Sequence, residues 1–356
     1  MSCALERLPN ELLDQIISDL TTEPPSLARL HNVPERQLTR GATRDLKQLA
    51  LVSQHLADLV RPRLFAHACL DLRDELAFCS FMAESGLGRY VTSLVATTAT
   101  ALADPVDHGW WRRVFRYVDP TRVTVVAPPT FLGHSVNTPI MDGHSWAFDI
   151  QLQVLHFERD SSSAMGLPLP DFEHCNSLLL ARPWTSMSFN ESSSLKAYNH
   201  YEYFLSRVPS ILGEWGSQLK PQESPPPHLS ELVRGLVSFS YTAVFPFYNH
   251  VKLVLDTLNL MPELRILSMQ LAPDANNHAT EIEQRGSMDP NDPWMELATS
   301  YDLIAFEICK NQTLQEFHSR DFLIDTVKEE LSSFIDHLGP TRWIHDGSWR
   351  WLRRPE

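Results

Sequence analysis

The chain is poor in cysteine and glycine and has no long apolar run. Five cysteines in 356 residues (Cys3, Cys69, Cys79, Cys175 and Cys309) form no C-x-x-C pair, and an odd, sparse set excludes a dense disulfide scaffold. No stretch approaches the roughly 18 apolar residues a membrane helix needs. The opening residues 1–10 carry Glu6 and Arg7 and lack the apolar core of a secretory signal. These absences lead to the expectation of a soluble protein in a reducing compartment, cytoplasmic or nuclear, with the sequons at Asn190 and Asn311 unglycosylated. Positive charge is also in deficit: 30 Lys and Arg stand against 44 Asp and Glu, a net charge of −14. Binding to nucleic acid needs clustered cations to neutralise phosphate, so neither a nucleic-acid nor a membrane partner is expected.

Motifs that carry chemistry are missing as well. There is no G-x-G-x-x-G and no GK[ST] to cradle a phosphate, and the fifteen histidines show no H-x-x-x-H or H-E-x-x-H spacing, so no cofactor or metal is expected. Asp289-x-Asn291 hints at a calcium loop, but Pro293 and the absent turn glycine spoil it. Gly143-His144-Ser145-Trp146-Ala147 approaches the G-x-S-x-G turn of serine hydrolases and departs at its last position. The preceding Pro139 makes a poor strand, and no glycine-rich oxyanion segment lies upstream. Cys175 beside His174 reads as a buried small side chain rather than a nucleophile. The chain is therefore expected not to be an enzyme.

What is present is a substantial core composition, 43% hydrophobic with 21% charged, and a change of pattern along the chain. Residues 1–70 balance eight basic against eight acidic groups, so the whole acidic excess lies beyond residue 70. The first part reads as helices. Leu12, Leu13, Ile16, Ile17 and Leu20 form one stripe at helical period, with Pro9 at the entry and Pro24 and Pro25 ending the run. Residues 21–43 read as a loop. A second helix from Thr43 carries Leu46, Leu49, Ala50 and Val52; a third, capped by Ser53, carries Leu56, Leu59 and Val60 and ends before Pro62. A unit of about 70 residues is near the lower limit of independent stability, so an uncovered apolar surface is expected on it.

After residue 75 helix-like stretches (110–118, 198–207, 229–235, 251–260, 300–310) alternate with short apolar runs of the form L-x-x-L-x-L. These runs are Val91-x-x-Leu94-x-Ala96, Leu152-x-x-Leu155-x-Phe157, Cys175-x-x-Leu178-x-Leu180, Leu236-x-x-Phe239-x-Tyr241, Leu264-x-x-Leu267-x-Met269 and Leu314-x-x-Phe317-x-Ser319. Two of the five gaps between them match one leucine-rich repeat period of about 20–29 residues; the others need two repeats or an insertion. A degraded repeat array and another α/β arrangement both remain open. Residues 221–228 and 272–293 read as surface loops.

Leu8-Pro9-Asn10-Glu11-Leu12-Leu13, then Leu46-x-x-Leu49-Ala50-Leu51-Val52-Ser53, then Arg61-Pro62-Arg63-Leu64-Phe65 together resemble the F-box. In that module a helical adaptor segment joins cullin-type ubiquitin ligases through a Skp-family linker. The likeness covers residues 5–65, with a longer 21–43 loop than the compact motif. Segments such as Arg182-Pro183-Trp184, Phe189-Asn190-Glu191 and Trp343-Ile344-His345-Asp346-Gly347 look similar to fungal F-box proteins with divergent leucine-rich repeats. The resemblance implies an α/β chain with an F-box over 5–70 and a degenerate leucine-rich-repeat-like domain over 75–356. It implies a substrate receptor of an SCF-type ligase without an active site of its own, bound to the linker and through it to a cullin, and holding an unidentified protein target. Linker contacts would fall on Leu8, Pro9, Leu12, Ile16, Leu49 and Val52. The competing expectation is a repeat scaffold, unconnected to ubiquitin, whose first helices only cap it. Trp343, Trp349 and Trp351 with Arg342, Arg350, Arg353 and Arg354 read either as a partner-binding tail or, the favoured reading, as a closed end in which two tryptophans enter the core.

Overall fold

Short runs rich in β-branched and aromatic residues, separated by helix-length segments, dictate strands joined by helical crossovers. The computed structural model describes residues 8–21, 24–35, 43–98, 107–140, 145–160, 175–200, 207–219, 226–273, 289–331 and 342–354, with positions 277, 283, 334, 337 and 338 between them. The architecture is α/β. Ten strands form one sheet: β1 (His67–Asp71), β2 (Ser93–Thr97), β3 (Arg122–Ala127), β4 (Gln153–Glu158), β5 (Ser186–Ser193), β6 (Ser238–Val244), β7 (Ile266–Gln270), β8 (Glu316–His318), β9 (Trp343–His345) and β10 (Arg350–Arg353). Strand order follows chain order except that β10 lies between β8 and β9. Pairing is parallel from β1 to β3 and from β5 to β8. It is antiparallel where β4 meets both its neighbours and at the β8–β10–β9 end.

Because side chains alternate across a strand, register sorts them into two faces. One face carries the continuous row Ala68, Leu94, Val123, Phe157, Met187, Phe239, Leu267, Phe317 and Trp351. Helices cover it: α5 (Glu75–Ser85), α6 (Trp110–Val114), α7 (Pro129–Ser135), α8 (Ile211–Ser217), α9 (Pro227–Val233), α10 (Tyr248–Asp256), α11 (Asp292–Lys310) and α12 (Asp325–Glu330). They share one unbroken apolar core from Leu70 to Trp351. Burial of this kind, at about 1.5–3 kcal/mol per large apolar side chain, contributes most of what holds the helices on the sheet. The opposite face is mostly polar, with Thr124, His156, Ser188, Ser240, Ser268 and His318 in one row.

Four helices precede the sheet or lie in its approach: α1 (Asn10–Asp19), α2 (Pro25–Ala28), α3 (Arg44–Ala50) and α4 (Gln54–Leu64). Ile17, Leu46 and Val60 form a small core of their own, backed by Leu49, Leu59 and Leu64. The Ser53 hydroxyl caps α4 by accepting from Leu56 N at 3.3 Å. The sheet begins at His67, inside the 5–70 segment that the sequence sets apart.

Two local expectations need correction. The Cys175–Leu180 run is a 3₁₀ turn over Leu178–Leu180, and the strand of that region is β5, later in the chain. The Ser177 hydroxyl accepts from Leu179 N at 3.3 Å and tightens the turn before an extended run can form. Helix α4 does not stop before Pro62 but continues to Leu64. So close to the helix end the proline forfeits one bond, and Phe65 N still closes the last turn on Arg61 O at 3.1 Å. Most of the helix expected over 198–207 lies outside the described residues, which include a 3₁₀ segment at Leu195–Asn199 that runs into its start.

Candidate functional site

Two surfaces stand out. The first is on α1, where helical period splits the leucine and isoleucine stripe into two lines. Leu13 and Ile17 are buried at 1% exposure, while Leu12 and Ile16 remain 46% and 39% exposed. Leu8 precedes them and Leu20 follows at the same four-residue spacing, and both stay exposed. Pro9 takes the N-cap position with ψ 146°, and its carbonyl accepts from Leu12 N and Leu13 N, each at 3.1 Å. The turn after α3 adds Leu51 and Val52, 86% and 57% exposed. Leu49 differs from the rest of the expected set, since it is half-buried against Ile17, Leu46 and Val60. Leu20 and Leu51 are additions to the expected contacts; the i, i+4 line from Leu8 is the sequence signal for the first of them.

The second surface is the polar face of the sheet. Along its middle row, serines on three adjacent strands (Ser188, Ser240, Ser268) stand between His156 and His318. Small side chains between large ones leave a trough, and over β6–β8 it forms a cleft of about 170 Å³. Gln270 and Met269 contribute to its wall, with Arg320 and Trp349 at one side and His31 at the other. His318 is braced from behind. Its Nε2 lies 3.1 Å from Glu316 Oε2, Arg350 Nη2 meets the same oxygen at 2.8 Å, and Trp349 packs edge-on with centroids 4.9 Å apart. Burial holds the His318 imidazole below its ordinary pKa, with Glu316 pulling the other way.

His31 comes from the segment between α1 and α3, which crosses the polar face as a strap. Leu30 is buried on Val95, Val126 and Val154, with Leu27 beside it. Asn190 Nδ2 donates to Leu30 O and to Asn32 O, both at 2.8 Å, and His31 Nδ1 is 2.8 Å from Thr242 Oγ1. A bulge in β5 makes the anchor possible. Register shifts between Asn190 and Ser193, Ser192 adopts φ 73°, and Ser192 N donates to Asn190 Oδ1 at 2.9 Å. The sequon asparagine is thereby consumed as a buried structural residue.

The bulge also turns Glu191 into the helix-covered core. It accepts from the Ser210 hydroxyl, from Tyr241 OH at 2.5 Å, and lies 2.8 Å from His250 Nε2. Burial pushes the Tyr241 phenol well up. Both carboxylate oxygens already have protein donors and all four side chains are buried, so the group acts as an internal brace. Cys175 is likewise inert: buried, its thiol pushed up by that burial, with Sγ donating to Ser177 O at 3.1 Å. Its neighbour His174 lies outside the described residues, as do Gly143, His144 and the Ser145 side chain. Among the described residues, no three His, Cys, Asp or Glu side chains are placed to hold a metal ion, and no helix is long and apolar enough to cross a membrane.

At the chain end Trp343 and Trp351 are buried and Trp349 is half-buried. Arg353 Nη1 donates to Gln312 O at 2.8 Å and to Leu314 O at 3.1 Å, tying the last strand down. Comparison with protein-family models, with curated proteins and with solved structures finds no match.

Proposed function

We propose that the chain is a non-catalytic receptor subunit of an SCF-type ubiquitin ligase, gripping a Skp-family linker through its N-terminal helices and a protein target through the sheet domain. The observation that carries the reading is the exposed line Leu8, Leu12, Ile16 and Leu20, together with Leu51 and Val52. Covering an exposed large apolar side chain is worth about 1 kcal/mol when nearly half of it is still in water. Six such residues supply on the order of 5 kcal/mol toward an interface. The same stripe coincides with the Leu-Pro entry and the Val-Ser step that resemble the F-box. Strand order that follows chain order supports a leucine-rich-repeat-like array downstream, and the reversed β4 departs from one. On this reading the protein performs no chemistry and raises the local concentration of a target lysine near a loaded conjugating enzyme.

Replacing Leu8 and Pro9 with Ala should abolish co-purification with the linker and leave the thermal transition of the sheet domain nearly unchanged. Linker capture at wild-type level by that double variant refutes the contact set. The alternative, a scaffold whose first helices only cap the sheet, is favoured by one observation, the strap seated on the polar face. Deleting residues 1–20 separates the two readings, since it removes α1 and keeps both the strap and β1. A soluble, folded remainder that no longer binds the linker fits the receptor, whereas aggregation of the remainder fits the cap.

A further inference from the structure

The cleft over β6–β8 is built for a ligand of definite chemistry. Gln270 is only 5% exposed, yet among the described residues its Oε1 has no hydrogen-bond partner. A buried acceptor left unmatched is costly, so this atom calls for an N–H or O–H donor from outside the sheet. Arg320, which is exposed and lines the same cleft, makes no ion pair among the described residues. The neighbouring carboxylate, Glu316, is already engaged by Arg350 and His318. His318 uses Nε2 toward Glu316 and Nδ1 toward Ser268 Oγ, 3.4 Å away, so the cleft's available fixed charge is the guanidinium. The ring of Trp349 supplies a flat wall for an aliphatic stem. The volume of about 170 Å³ is on the scale of a cavity that holds one benzene ring. It therefore admits one residue of a partner and excludes a folded element.

We propose that this cleft is a subsite for a peptide carboxylate: the carboxylate meets Arg320, the amide N–H of the same residue meets Gln270 Oε1, and the stem lies on Trp349. The occupant is an acidic residue of an extended protein segment. The exposed guanidinium of Arg320 complements a partner that presents negative charge on a short stem. The inference deepens the receptor reading on its target side. Its test uses the full chain without any linker, so failure here and failure of linker docking are separate results.

The probes are four short peptides and an ion: acetyl-Ala-Glu-Ala-amide, its derivative N-methylated at the Glu amide, its neutral Gln isostere, acetyl-Ala-Ala-Ala with a free C-terminus, and inorganic phosphate. Binding is followed by titration calorimetry, with tryptophan fluorescence of wild type and Trp349→Phe locating the site. The Glu peptide should bind with a Kd on the order of 1 mM, about tenfold tighter than the Gln isostere. Arg320→Gln should erase that preference, and the fluorescence response should vanish in Trp349→Phe. N-methylation of the Glu amide should weaken binding severalfold in wild type and have no effect in Gln270→Leu. If the buried Gln270 variant fails to fold, the N-methyl peptide on wild type still decides the amide contact. Tighter binding of the free C-terminal peptide than of the Glu peptide would assign the carboxylate to a chain end and overturn the assignment to an acidic side chain. Equal binding of the Glu and Gln peptides, unchanged affinity in Arg320→Gln, or phosphate matching the Glu peptide would overturn the proposal.

Discussion

Asp321 offers a sharp test of the packing, because a carboxyl group sits wholly inside the protein. Its Oδ2 accepts from Leu271 N at 2.7 Å, Ala272 N at 3.1 Å and Tyr301 OH at 2.6 Å, while Oδ1 has no partner among the described residues. Burial outweighs these three donors and pushes the carboxyl from 3.8 up to about 6. A raised acid pKa means that the native state holds its proton more tightly than the unfolded chain. The group's contribution is fully present below about pH 4 and is lost as pH rises through about 6. A shift of about two units corresponds to ~3 kcal/mol. In Asp321→Asn the amide oxygen keeps all three donors and nothing titrates. The difference in stability between variant and wild type should therefore move in the variant's favour by about 2.5 kcal/mol between pH 4 and pH 7.5, roughly 3 °C in Tm for a chain of this size. Thermal unfolding of both proteins across that range measures it. A difference that stays constant within about 0.5 kcal/mol would show that Asp321 does not carry a displaced proton, and the account of that corner of the core would be wrong.

Further outcomes follow from contacts already described. Asn190→Ala strips the buried Leu30 carbonyl and the partly buried Asn32 carbonyl of their donor and should loosen the strap by about 1–3 kcal/mol, read as faster amide exchange over residues 27–35 with little change in β6 and β7. Slow exchange in that variant would mean that Leu30 burial alone holds the strap. Gly216→Ala places a methyl 2.3 Å from Leu253 O and 2.7 Å from its carbonyl carbon. Helices α8 and α10 must then separate, at about 2–3 kcal/mol or more, and a wild-type melting temperature would contradict their close approach.

The sequence discloses the parts that rest on strong period. Strands β2, β4, β6, β7 and β8 lie where the spacing of positions 1, 4 and 6 marks them, because most of those residues point inward against helices; Leu152 packs on the strap side and Ser319 is polar. Strand β5 is hidden because its alternate residues, Ser186, Ser188 and Asn190, belong to the polar face, while Cys175-Leu178-Leu180 imitates the pattern in a capped turn. Arg122–Ala127 and the two strands after residue 342 fall outside that spacing and escape it. On α1 the stripe is legible as a whole. Its division into a buried line and an open line depends on where α3 and α4 pack, which no local pattern encodes. The strap is least legible: its anchors are main-chain carbonyls, and their donor is an asparagine 160 and 158 residues away.

That long-range tether has a mechanical consequence. A hinge between the opening helices and the sheet would let anything clasped by one wander relative to anything clasped by the other. With residues 27–32 fastened to β2 through β6, the chain between α1 and α3 is pinned to the sheet at its middle, which shortens any leash between the opening helices and the sheet. On the proposed receptor reading, a client lysine would then have to lie at a set reach from the acidic residue held in the cleft, and chain length on the client would decide which lysine arrives.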